Sequence, residues 1–141
     1  MKTPSATTAI SATLKGSLYT VMLAAALATP VFAHHSGAMF EEKKEVTLTG
    51  VVKEFQYTNP HSWLLVDVKG TDGKVTTWGF EAEGPSSMTR AGIRLKDFMP
   101  GTPITITGRP MKDGKLAALW VKATRTSDNI VFVPARGFAV K

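Results

Sequence analysis

The residues best suited to bind a metal in this chain are its histidines, which occur at two places. His34 and His35 are adjacent, and His61 follows a proline; cysteine is absent from the 141 residues. Disulfides, thiolate zinc sites and a cysteine nucleophile are therefore excluded, and the possible ligands are imidazole, carboxylate, amide and amine groups. The histidine pair also lies next to a predicted signal-peptide cleavage point, which could supply a further ligand.

Residues 1–33 have the layout of a secretory signal. Lys2 and Lys15 lie in a hydroxyl-rich start, an apolar run covers residues 18–28, and a short segment with small residues ends at Ala33. This layout predicts a Sec-type signal peptide with cleavage after Ala33, and hence a periplasmic or secreted protein. The apolar run is about half of the roughly 20 residues that cross a bilayer, so we expect no transmembrane anchor after cleavage.

Cleavage after Ala33 would make His34 the new amino terminus. A terminal histidine offers its α-amine and an imidazole nitrogen, and both suit Cu(II). His35, and His61 from the Asn-Pro-His turn, could complete the site, so copper is the expected cofactor and His34, His35 and His61 are its candidate ligands. The alternative is a flexible polar terminus with solvated imidazoles, and a turn histidine that forms local hydrogen bonds.

The elements that must position these residues are strands. Two alternating apolar runs in residues 46–69 flank Asn59, Pro60 and His61, which predicts neighbouring strands joined by a polar turn. The inward parity changes within the first run, which predicts a β-bulge or sharp bend at Gly50. Asp-Gly pairs at 72–73 and 113–114 predict two further hairpin turns.

The remaining runs complete a small barrel. Strands are predicted over 75–81, 103–109 and 116–126, with one short helix at 86–91 between the third and fourth strands, and a short edge strand could follow near residue 130. This order predicts an all-β fold, a five-stranded OB-like Greek-key barrel with one short helix between strands 3 and 4. A β-sandwich would need seven or more strands.

The predicted organisation is a cleaved signal peptide (1–33), an N-terminal arm (34–45), the barrel domain (46–126) and a C-terminal tail (127–141). In the arm, Phe40 is expected to attach the chain to the core. The predicted core comprises Leu48, Val52, Phe55, Leu65, Trp78, Ile104, Ile106 and Leu119.

Sequence patterns for common catalytic sites are missing. Glu81 and Glu83 could supply carboxylates, but paired acids at a strand end are usually solvated, and no serine lies in a hydrolase elbow. The net charge of +6 comes from scattered bases with no run of five or six, which does not favour nucleic acid. We therefore expect a binding protein rather than an enzyme.

Several of these motifs occur together in a known group of proteins. His34-His35-Ser36 directly after a signal, Phe40, the Val-x-Leu-x-Gly-x-Val-x-x-Phe pattern of residues 46–55, Asn59-Pro60-His61, Trp78 with Glu81, Arg90 with Gly92, and Pro100-Gly101 resemble a family of small exported bacterial proteins of unknown function. The resemblance covers residues 34 to about 126. It implies a periplasmic β-barrel domain without an established activity.

The sequence thus predicts a small exported binding module with a copper site at its mature amino terminus. One alternative is a periplasmic adaptor that binds an envelope protein or small ligand without metal, and another is a copper enzyme with a histidine brace. The adaptor predicts partner binding that is indifferent to chelators, whereas the enzyme requires redox turnover with the native amino terminus.

Overall fold

The computed structural model describes residues 36–134, which consist mainly of β-strands. The strands are β1 (Val46–Gln56), β2 (His61–Lys69), β3 (Val75–Glu83), β4 (Pro103–Pro110), β5 (Ala117–Arg125) and β6 (Val131–Phe132). The helix α1 spans Pro85–Arg90, and short 3-10 helices span Ser36–Met39 and Leu95–Phe98.

Both predicted Asp-Gly turns are present. Gly73 joins β2 to β3 with φ of 80°, and Gly114 joins β4 to β5 with φ of 78°. Residues with a side chain rarely adopt this left-handed conformation, so glycine at the two positions favours the tight reversal. Each turn connects an antiparallel pair of strands.

The strands close into a barrel because β1 is long enough to pair on both sides. Its first half, from Val46 to Val51, pairs with β4, and its second half, from Val51 to Gln56, pairs with β2. The barrel is closed where β3 pairs in parallel with β5. The predicted five-stranded barrel with a short helix between strands 3 and 4 is confirmed.

In β1, the inward-facing positions change from even-numbered to odd-numbered residues further along the strand than predicted. The register with β2 shifts between Val52 and Glu54, after which Phe55 is the next buried residue. The predicted bulge at Gly50 is therefore wrong. Gly50 has a different role, since the carbonyl of Asp67 on β2 approaches so closely that a Cβ would clash with it.

The core of the barrel contains half of the predicted residues in fully buried positions. Val52, Phe55, Ile104 and Ile106 are buried as predicted, whereas Leu48 and Trp78 pack against the core while partly exposed. The assignments of Leu65 and Leu119 to the core are wrong. Their neighbours are buried instead, namely Leu64, Val66, Ala118 and Trp120.

A second bulge explains the error on β5. Thr107 lies opposite Lys122 but Gly108 lies opposite Trp120, so Val121 is the extra residue. The bulge lets Trp120 and Ala123 both point inward, although they are three residues apart. Simple alternation, as assumed from the sequence, would place them on opposite faces.

Aromatic rings fill one end of the core. Phe98, fully buried, makes edge-to-face contacts with Phe55, Trp120 and Phe132, with centroid distances of 5.6, 5.1 and 4.8 Å. Phe132 comes from β6, which pairs with β5 through Ala123. The edge strand suggested by the sequence is therefore present, and it contributes a ring to the core.

The arm is attached to the barrel by Phe40, as predicted. Phe40 is 1% exposed and forms an isolated antiparallel bridge with Met111 at the end of β4. The backbone N–H groups of Glu41 and Lys112 donate to the carbonyls of Pro110 and Met39, both at 2.9 Å. These bonds fix the arm beside the β4–β5 turn.

Candidate functional site

The Asn59-Pro60-His61 turn joins β1 to β2 and packs against the backbone of Gly84, the residue before α1. A Cβ at Gly84 would lie 2.6 Å from Asn59 Oδ1 and 2.8 Å from the Pro60 carbonyl oxygen. Glycine therefore allows the start of α1 to pack directly on the turn. The turn is further tied to β2, because Thr58 Oγ1 donates to the His61 carbonyl at 3.3 Å.

The side chain of His61 lies on the outer face of the barrel. It opens β2, where Ser62, Leu64 and Val66 are buried and the residues between them are only partly buried. On β3, Glu83 lies directly opposite His61, and Glu81 lies opposite Trp63. His61, Trp63, Glu81 and Glu83 therefore share one face.

The central contact of this face joins His61 to Glu81. The Nδ1 atom of His61 lies 2.5 Å from Glu81 Oε1, which is a short, charge-assisted hydrogen-bond distance. The His61 side chain is 27% exposed, whereas that of Glu81 is 3% exposed. The imidazole thus sits between a buried carboxylate and the protein surface.

Glu81 is buried even though it points away from the core. Its neighbours Phe80 and Ala82 face inward, so alternation turns Glu81 outward, yet it is 2% exposed. Burial raises the pKa of the Glu81 carboxyl above its ordinary value, while the charge and hydrogen bond of His61 act to lower it. Within residues 36–134, no hydrogen-bond donor contacts Glu81 Oε2.

The expectation that Glu81 is solvated is therefore wrong. The sequence offers one signal for its position, namely a carboxylate between the inward residues Phe80 and Ala82 on the strand that follows the Asn-Pro-His strand. The register of β2 and β3, which the sequence does not specify, brings Glu81 to His61. Glu83, the other acid considered, is half-buried.

Trp63 borders the pair and is positioned by a glycine on the facing strand. A Cβ at Gly79 would lie 3.2 Å from Trp63 Cε3 and 3.3 Å from Cζ3, so the indole ring covers the Gly79 backbone. A larger residue at position 79 would push the ring outward. The indole therefore forms an apolar wall near the His61–Glu81 pair.

The other predicted ligands, His34 and His35, lie outside the described residues. In residues 36–134, no group of three or more histidine or acidic side chains is arranged to hold a metal ion. The described part of the chain thus provides His61 with a carboxylate partner, but not a complete ligand set. The same residues contain no helix long and apolar enough to cross a membrane.

Comparison with known proteins gives the family and nothing on activity. No curated protein matches the chain. A family model matches residues 22–120, which include the arm, the Asn-Pro-His turn, Glu81 and most of the barrel. The chain therefore belongs to the family of unknown function DUF6152.

Proposed function

We propose that this protein is a small exported binding module that holds Cu(II) at its mature amino terminus. The proposed ligands are the α-amine and ring of His34, together with His35 or the ring of His61. The observation that carries the proposal is the contact of His61 Nδ1 with Glu81 Oε1 at 2.5 Å. Histidines that ligate metals commonly donate their other ring N–H to a carboxylate in this way.

The position of the His61 ring is compatible with the reach of the arm. Glu81 lies opposite Leu119, and Leu119 lies opposite Arg109, two residues before Met111. With strands about 4.8 Å apart and a rise of about 3.3 Å per residue, Glu81 is about 12 Å from Met111. Phe40 is bridged to Met111 on the side of β4 that faces away from β5, which adds one strand spacing. The ring of His61 rests against Glu81, so the arm must cover about 16 Å along the sheet from Phe40.

The arm starts from Phe40, which is bridged to Met111. The six residues from Phe40 back to His34 can span at most about 21 Å. The rise in the 3-10 helix Ser36–Met39 is only about 2.0 Å per residue, which still leaves a reach of about 15 Å. The fully extended arm exceeds the distance along the sheet and the arm with its 3-10 helix nearly equals it, so the attachment at Phe40 is compatible with a site that combines His34 with His61.

The experiment is a Cu(II) titration of protein exported with its own signal, after intact-mass measurement has established a chain that begins at His34. The native protein is compared with a form carrying one extra leading methionine and with His61→Ala. The extra residue converts the α-amine into an amide, which must lose its own proton to bind, so affinity should fall sharply. His61→Ala should weaken binding while the amine remains.

Equal affinity of the native and extended forms would remove the α-amine from the site and contradict the proposal. An unchanged affinity in His61→Ala would limit the site to His34 and His35. A native protein that binds no Cu(II) would favour the metal-free adaptor, which should then bind its partner in the presence of chelators.

A further inference from the structure

We infer that Glu81 is the positioning residue that fixes the tautomer of His61, with the proton on Nδ1 and the lone pair on Nε2, and thereby selects Nε2 as the nitrogen that binds metal. This inference rests on the proposed function for the role of Nε2. The tautomer itself is a property of the metal-free protein, and it can be tested whether or not copper binds.

The contact at Nδ1 determines the orientation of the imidazole ring. Nδ1 lies 2.5 Å from Glu81 Oε1, and an ionised carboxylate only accepts hydrogen bonds. In a neutral imidazole, one nitrogen carries the proton and the other the lone pair. A carboxylate at Nδ1 therefore stabilises the tautomer with the proton on Nδ1.

The Glu81 carboxylate is held in a fixed position. Glu81 is 2% exposed, and its strand is paired on both sides, with Trp63 on β2 and Leu119 on β5. A buried side chain on a doubly paired strand has few alternative rotamers, so it can define the orientation of its partner. Glu83 faces His61 directly across the strands but is half-buried, and it is the natural comparison.

Glu81 is not placed to bind the same ion as Nε2. Oε1 is engaged by Nδ1, while an ion on Nε2 would lie on the opposite side of the imidazole ring. Oε2 belongs to the same carboxylate, so it too lies on the Nδ1 side of the ring. Glu81 therefore acts through His61, and replacing it should reduce metal affinity without removing a ligand. Such losses are typically about 10- to 100-fold.

The test reads the two ring nitrogens of His61 by nitrogen-15 NMR in metal-free protein, at a pH where the ring is neutral. We expect a protonated Nδ1 in the wild type. In Glu81→Gln, the amide can either accept from or donate to Nδ1, so the ring should shift towards a mixture of tautomers. The matched control is Glu83→Gln, which removes the same charge on the same face and should leave the tautomer unchanged.

A wild-type ring protonated on Nε2 would overturn the inference, and this measurement needs no variant. Equal shifts in Glu81→Gln and Glu83→Gln would also overturn it, because they would reflect charge rather than contact. A Cu(II) titration of the same proteins then separates the two proposals. We expect about 10- to 100-fold weaker binding in Glu81→Gln and unchanged binding in Glu83→Gln. If no form binds Cu(II), the proposed function fails while the tautomer result stands.

Discussion

Replacing Gly84 with alanine should disturb the turn that carries His61. The added Cβ would lie 2.6 Å from Asn59 Oδ1 and 2.8 Å from the carbonyl oxygen of Pro60. The Asn59 side chain can rotate away, but the Pro60 carbonyl belongs to the backbone of the turn. The backbone of α1 and the turn must therefore move apart.

The cost has two parts. Overpacking of a tight contact typically destabilises a protein by about 1–3 kcal/mol. Gly84 is also the N-cap of α1, with no side-chain cap, and alanine is less favourable than glycine there by up to about 1 kcal/mol. The expected loss is about 1–4 kcal/mol, and a loss of about 2 kcal/mol should lower the melting temperature of a domain of this size by about 8–16 °C.

The matched control is Gly70→Ala. Its Cβ would lie 2.8 Å from Asp72 Oδ1, an exposed side-chain atom that can move, and 3.5 Å from the nearest backbone oxygen. We expect a loss below about 1 kcal/mol. The assay combines thermal unfolding with the NMR signals of the His61 ring, which should shift in Gly84→Ala alone. Equal stability of the two variants, with unchanged His61 signals, would refute this account of the turn.

Two further predictions concern the core and the buried acid. Phe98→Ala should lower the free energy of unfolding, measured in urea, by about 3–5 kcal/mol, because Phe98 is fully buried. Trp78→Ala should lower it by less, because Trp78 is half-buried. The reverse order would show that the aromatic cluster around Phe98 is not the main part of the core. Because the pKa of Glu81 is raised by burial, its contribution to stability is fully present below its ordinary value of 4.5 and is lost as the pH rises through the folded-state pKa. The unfolding free energy of the wild type, relative to Glu81→Gln, should thus decrease with rising pH. In a His61→Ala background the decrease should extend to higher pH, since the charge that lowers the pKa is gone; a difference independent of pH in both backgrounds would contradict this prediction.

The barrel could be predicted because its signals are local. The Asp-Gly turns, the proline near the start of α1 and the glycine at its end depend on a few neighbouring residues, and Gly73, Gly92 and Gly114 do adopt positive φ. The core could be predicted only in part. A bulge adds one residue to a strand and reverses the assignments on one side of it, and the bulge at Val121, which explains the error at Leu119, depends on the partner strand.

The candidate site, like the core, could be predicted from the sequence only in part. His61 is identified by its residue type and by the Asn-Pro turn before it. Glu81 is not, because its burial and its contact with His61 arise from the register of β2 with β3 and the closure of β3 on β5. A carboxylate at a strand end is normally solvated, and local sequence cannot show that a third strand covers it.

The seam between β3 and β5 has a consequence for motion. It consists of three paired positions, Gly79 with Ala117, Phe80 with Ala118 and Glu81 with Leu119, whereas β2 and β3 pair along their whole length. Local openings of a folded protein need less free energy than global unfolding, and short paired segments are favourable places for them. We expect the barrel to open along this seam, with faster hydrogen exchange at the Gly79 amide, which donates to the Leu116 carbonyl at 3.0 Å, than at the amides between β1 and β2. Each opening would admit water to Glu81. The imidazole of His61 would then lose and regain its fixed orientation at the rate at which this seam opens and closes.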